Sequence, residues 1–292
     1  MVVKMKIIHE IETTYAECID NPLRFKPIRD SWVVYHGTSS VFEQEIEDRG
    51  LEPFNRLFDP QDVDRVRGAF DNLGWYGAAD SGYMFLASYS RDRHRGDRQN
   101  VYCCSYPNAS LLFSTREFAG GETARQLRKA FRDLERLVST PDLRDAVRRR
   151  LAAHPRDCGV DRDPDEVLAS VSTLLIEPGP LRDKLECLVA DHKYGVVYAV
   201  QLRMEQHLPF LVSDNATDLG CRIPIHPDRL VGKARIRNER PDDADSVSVY
   251  SDPKVLSTLE NAWTPFGMIP LYRARQAALL KELETKYCPV DY

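Results

Sequence analysis

A chain of 292 residues that is 42% hydrophobic and 29% charged has the make-up of an ordinary globular protein, one large domain or two smaller ones. It holds no apolar run of the roughly 18 residues a membrane helix needs, and a net charge of −5 argues against a simple coat for polyanions. Seven cysteines without a Cys-x-x-Cys pair argue against a structural zinc site and for reduced, mostly buried thiols. The first ten residues lack the apolar run and cleavage site of a signal peptide, so a cytoplasmic protein without a membrane partner is expected.

In chain order, a strand is expected over Lys6–Ile11, then a short helix. Trp32-Val33-Val34-Tyr35 reads as an apolar strand running into a His36-Gly37-Thr38 turn, followed by a helix from Val41 to Arg49 that stops at Gly50. Asp59-Pro60 pairs an N-cap with proline at the first helical position and opens a helix to about Phe70. A glycine-rich loop, Leu73–Gly82, leads to an apolar strand at Tyr83–Ala87, and Val101–Cys104 is another strand. From Thr115 to Ala190 the spacing is helical: Leu127, Phe131 and Leu134 repeat, as do Val167 and Val171, with further starts at Thr140-Pro141 and Asp163-Pro164. Strands resume at Gly195–Leu202 and Phe210–Val212. After a loop over Ser213–Gly220 come a strand through Ile223–Ile225 and another over Gly232–Arg237. Helices close the chain after Asp252-Pro253 and over Leu271–Lys286. The expected class is α+β: strand-rich halves at 1–114 and 191–292 around an all-helical insertion at 115–190.

Charge is unevenly spread. Arg91, Arg93, Arg95 and Arg98 form one basic cluster, and residues 125–150 carry nine Arg or Lys against four acids. Arginine grips phosphate bidentately, so these stretches point to a nucleic-acid surface, although solvated helix faces share the pattern.

The order strand, Tyr35-His36-Gly37-Thr38-Ser39, helix, Gly50-Leu51 resembles the first motif of the ADP-ribosyltransferase fold, shared by poly(ADP-ribose) polymerases, bacterial ADP-ribosylating toxins and RNA 2′-phosphotransferases. The resemblance covers roughly residues 31–110 and 190–240. It implies a split β-sheet core and an enzyme that moves ADP-ribose from NAD, its co-substrate, to an acceptor without any metal. His36 would orient the nicotinamide ribose, Gly37 and Thr38 with flanking Tyr35 and Ser39 would hold the amide, and Tyr83 or Tyr89 would stack on the ring. An acid would oppose the oxocarbenium charge, and Glu205 and Asp214 are equal candidates. The family's Glu before a late strand is replaced here by Pro209 ahead of Phe210, which admits a catalytically inactive NAD- or nucleic-acid-binding relative. The stretch from Val212-Ser213-Asp214-Asn215 to Ile223-Pro224-Ile225 is also similar to the 2′-phosphotransferase branch, whose Gly-His-Ser element is missing. The acceptor is expected to be nucleic acid, RNA before DNA, or protein. A toxin or phage-defence role with an inhibitory partner protein is the analogy that follows.

Other chemistries lack their signatures. His192 and His207 have no metal-ligand spacing, and neither a Walker loop, a Gly-x-Gly-x-x-Gly nor a Gly-x-Ser-x-Gly elbow occurs. Cys103 and Cys104 read as buried strand thiols rather than nucleophiles.

Overall fold

The structure, a computed structural model, describes residues 7, 9–20, 23, 32–53, 57–73, 86, 100–104, 107–153, 163–176, 180–207, 211–213 and 218–237. Its strands are β1 (His9–Thr14), β2 (Trp32–Ser39), β3 (Val101–Cys104), β4 (Gly195–Leu202), β5 (Leu211–Ser213), β6 (Asp218–Cys221) and β7 (Leu230–Arg237). Its helices are α1 (Tyr15–Asp20), α2 (Glu43–Arg49), α3 (Pro60–Asn72), α4 (Pro107–Ser110), α5 (Gly121–Ser139), α6 (Pro141–Ala153), α7 (Pro164–Ile176), α8 (Pro180–Ala190) and α9 (Met204–His207). The chain forms two compact units. One comprises Met1–Phe54, Gln99–Phe118 and His192–Tyr292, and the other Asn55–Arg98 and Ala119–Asp191. All seven strands fall in the first, the sheet unit. The described elements of the second are all helices, and α3 belongs with them rather than with the strands.

The strands form one mixed sheet in the order β1-β7-β4-β2-β3-β6-β5. β1 and β7 run parallel, and every other neighbouring pair is antiparallel. The protein is therefore α+β. Central β4, read from its unbroken apolar run, is buried over almost its whole length between β7 and β2. Fully burying each of Val196, Val197 and Val200 contributes about 1.5–3 kcal/mol, which makes β4 the anchor of the unit. Alternation divides the sheet into two faces. Val34 and Val101 share one with Ile46 of α2. Val197, Ala234 and Ile236 share the other with Tyr15 and Cys18 of α1 and Leu111.

The helical unit packs one apolar stripe from each helix. Val63, Val66 and Phe70 of α3 and Leu127 and Leu134 of α5 are buried, as are Val147 of α6 and Val171 of α7. Two of the expected N-caps hold: the Asp59 carboxylate accepts from Gln61 N at 2.8 Å, and that of Asp163 from Asp165 N at 3.0 Å.

Five readings change, and one of them is the strand expected through Ile223–Ile225, where Ile225 makes only an isolated antiparallel bridge to Leu51. The first strand runs on to Thr14, past the expected end at Ile11, because its pairing with β7 continues to Arg237. His36, Gly37 and Thr38 are not a turn: β2 continues to Ser39, paired throughout with β4. The expected loop at 213–220 contains the ends of two paired strands, β5 and β6. Of the strand expected at 83–87 only Leu86 is described, and it is helical and fully buried; a short apolar run does not separate strand from buried helix. The closing helices expected after residue 252 lie outside the described residues. No helix among the described residues is long and apolar enough to cross a membrane.

Candidate functional site

His36 stands where the sheet changes character. On one side β2 pairs with β4 over its full length, His36 opposite Tyr198. On the other, β2 and β3 are joined at a single register position, Tyr35–Cys104, with no further pair toward Val101 among the described residues. The His36 ring bridges this opening, its Nδ1 2.8 Å from the Tyr102 carbonyl oxygen. A carbonyl can only accept, so the shared proton sits on Nδ1 and Nε2 carries the lone pair. Burial of the ring holds its pKa below the ordinary histidine value, outweighing the opposing pull of that carbonyl. At neutral pH His36 is thus an uncharged ring of fixed tautomer with an acceptor nitrogen.

Gly37 serves the opposite face. A Cβ added there would lie 1.8 Å from the Ser110 carbonyl oxygen and 3.2 Å from Phe113 Cβ. At Gly195, the partner of Ser39 across the ladder, it would lie 2.5 Å from the Ser114 carbonyl oxygen. Two glycines therefore flatten the β2–β4 ladder so that the 110–114 segment rests on it. Ser110 and Ser114 are buried and turn their hydroxyls back onto the carbonyls of Pro107 and Leu111, at 2.6 and 2.7 Å.

Past Gly37 the chain is pinned by hydroxyls. Ser39 is fully buried; its Oγ lies 2.8 Å from His192 Nδ1 and accepts from Val41 N at 3.3 Å, capping the turn into α2. Ser40 Oγ accepts from Lys193 N at 2.9 Å. Burial, reinforced by the charge of Arg116, lowers the His192 pKa to about 4, so this ring too is neutral near pH 7.

Beneath α2 runs a buried ionic network. The Glu43 carboxylate receives Lys233 Nζ at 2.8 Å, Arg235 Nη2 at 2.7 Å and the Tyr194 hydroxyl at 2.7 Å. Lys233 also pairs with Glu47. Glu43 and Lys233 are 8% and 3% exposed, so each charge is tolerated only because its counter-charges are in place. Burial alone would raise the Glu43 pKa, but the bonds from Lys233, Arg235 and Tyr194 bring it below the usual carboxylate value. Lys233 is likewise pushed up by Glu43 and Glu47 against its burial. The network clamps the start of α2 to β7, four residues after the β2 strand ends.

Of the sequence candidates, Tyr35, His36, Gly37, Thr38 and Ser39 lie together on β2. Tyr35 is half-buried against the core of the second face, and Thr38 is buried. Glu205 belongs to α9, a helical turn rather than a strand. On the same turn His207 is 1% exposed, and its Nδ1 accepts from Arg203 N at 3.0 Å. Tyr83, Tyr89, Asp214 and Arg91, Arg93, Arg95 and Arg98 lie outside the described residues. Cys103 and Cys104 are buried on β3, and burial raises the Cys103 thiol well above its ordinary value, which removes it as a nucleophile.

Sequence reasoning missed Tyr102, an exposed residue whose carbonyl orients His36; a main-chain acceptor leaves no residue-type signal. The Glu43–Lys233–Arg235 cluster was missed as well, although alternate cations on an otherwise apolar strand were its available sign. In comparison with known proteins, the chain matches no family model, curated protein or solved structure.

Proposed function

We propose that the protein transfers ADP-ribose from NAD to a macromolecular acceptor, with His36 at the nicotinamide ribose. The observation that carries this reading is the neutral His36 ring, its Nδ1–H held by the Tyr102 carbonyl, at the position where β3 leaves β2. Its Nε2 lone pair is suited to receive a ribose hydroxyl proton in a hydrogen bond, which fixes the sugar and keeps it electron-rich. In a strand, alternate residues turn their N–H and C=O groups to opposite neighbours. Residues 36–39 therefore direct some main-chain groups to the β3 side, where a carboxamide could be held.

In the reaction, the bond between ribose C1′ and the nicotinamide nitrogen breaks, and its electron pair leaves with nicotinamide. The ring was cationic in NAD and departs neutral. A nucleophilic atom of the acceptor forms the new bond to C1′ and releases its proton. Glu205 or Asp214 is the acid proposed to oppose the positive charge that develops on the sugar, an effect typically worth about 3–4 kcal/mol per well-placed group.

A second reading, an inactive relative, is favoured by the Ser110 carbonyl, which accounts for Gly37 without any ligand. One experiment separates them: purified protein with labelled NAD and separate pools of RNA, DNA and cell protein. Nicotinamide release with label in one pool, both lost in His36→Ala, is the expected result. No release and no label in any pool would overturn the transfer reading in favour of the second, and a rise in melting temperature on adding NAD would then mark a relative that still binds NAD. Real binding at a hundredfold excess over Kd adds about 2.7 kcal/mol.

A further inference from the structure

We infer that helix α5 presents a binding surface for the phosphate backbone of single-stranded RNA. At 3.6 residues per turn, Arg125, Arg128, Lys129, Arg132 and Arg136 fall within about 100° of arc, on the side opposite buried Leu127, Ala130 and Leu134. The row is about 16 Å long at 1.5 Å per residue. No acid interrupts it: Glu122, Asp133 and Glu135 flank the stripe, and Glu135 is engaged by Arg182 at 3.0 Å. Arg132 and Arg136 are exposed.

Within the stripe Arg128 also donates to the Ala119 carbonyl oxygen at 2.9 Å, whereas two arginines elsewhere in this unit are held by carboxylates. Arg148 is tied to Asp165 at 2.7 Å and Asp145 at 3.2 Å, and Arg182 to Glu135 and Glu186. Among the described residues, no carboxylate lies within ion-pair distance of Lys129, Arg132 or Arg136. In a chain of net charge −5, five aligned cations on one face of one helix are a local reversal of sign.

Charge complementarity selects the occupant. A protein partner would need an apolar centre to anchor it, and the stripe contains none. A phosphodiester strand needs only regularly placed cations. One narrow, straight row fits one strand rather than both backbones of a duplex, and single strands in cells are chiefly RNA. This surface stands apart from the NAD reading and is tested without NAD.

The test is fluorescence anisotropy of a labelled twenty-nucleotide oligo(U) with the full chain, over a series of salt concentrations. The variant is Lys129→Gln/Arg132→Gln/Arg136→Gln. The control, Arg49→Gln/Arg203→Gln/Arg222→Gln, removes three exposed arginines from the sheet unit. Three contacts at a slope of about 0.7 each predict that the stripe variant loses about two units of salt slope and about a hundredfold in affinity near 0.1 M salt. The control should stay within about threefold, and both should keep the wild-type melting curve. Absence of wild-type binding, or equal loss in the control, would overturn the inference. So would tighter binding to a duplex or to oligo(dT). Equal binding of poly-glutamate would replace RNA with an acidic polypeptide.

Discussion

The two units handle charge in opposite ways. In the sheet unit, Glu43, Glu47, Lys233 and Arg235 are drawn inward and satisfied by one another between α2 and β7. In the helical unit, the ion pairs of Arg148 and Arg182 lie at the surface, each side chain at least a third exposed. A buried pair has surrendered its water and depends wholly on its partner. An exposed pair gives up little and is worth little. The same residue types therefore form an internal lock under α2 and only surface pairs around Arg148 and Arg182.

The sharpest way to break the comparison is to remove one member of the buried network. Glu43→Ala leaves Lys233 and Arg235 without their shared carboxylate and should cost about 3–5 kcal/mol, as expected for a broken buried pair; urea unfolding followed by sheet-unit tryptophan or tyrosine signals measures it. Next come two glycines. Gly37→Ala drives a methyl into the Ser110 carbonyl and should destabilise by about 1–3 kcal/mol or more. Gly68→Ala, in α3 with nothing within 4 Å of the added carbon, should stabilise by about 0.5–1 kcal/mol. A reversed order of those two melting temperatures would mean that the 110–114 segment does not rest on β2.

Acid should discriminate between the units as well. His36, His192 and His207 all lie in the sheet unit, and burial lowers all three pKa values. The unfolded chain then binds more protons than the folded one below the ordinary histidine value of 6.5. Stability is full above that pH and declines as pH falls from 6.5 toward the folded value, about 4 for His192. Glu43, depressed below the ordinary carboxylate value, adds its own loss at still lower pH. Melting temperatures between pH 7 and 4.5 should fall steadily, and His192→Gln should flatten part of the slope. The smallest effect belongs to Asp165→Ala. Breaking the exposed pair with Arg148 should change stability by no more than about 1 kcal/mol by thermal melting.

Local signals read well from the sequence. β4 was visible as Gly195–Leu202, and the helix starts at Pro60 and Pro164 followed from an Asp-Pro step. What escaped was decided by partners far away in the chain. Tyr35-His36-Gly37-Thr38 looks like a turn because glycine punctuates it, but the ladder to residues 195–202 keeps it extended. Glu43 and Glu47, one turn apart, look like a solvated helix face until Lys233 and Arg235 arrive from nearly 200 positions on. His36 was legible as the centre of the candidate site, whereas the acceptor that fixes its tautomer is a carbonyl, which every residue possesses.

The parallel pairing of β1 with β7 has a consequence for synthesis. His9 lies opposite Gly232, so the first strand emerges long before β7, its one partner among the described residues, exists. At about 5–20 residues per second, the ribosome needs roughly 10–45 s to make the intervening chain. The helical unit, whose contacts are more local, can form during that wait. The N-terminal strand spends the whole interval with the edge that β7 later covers still open, and this is the period when a chaperone or a neighbouring nascent chain could capture it.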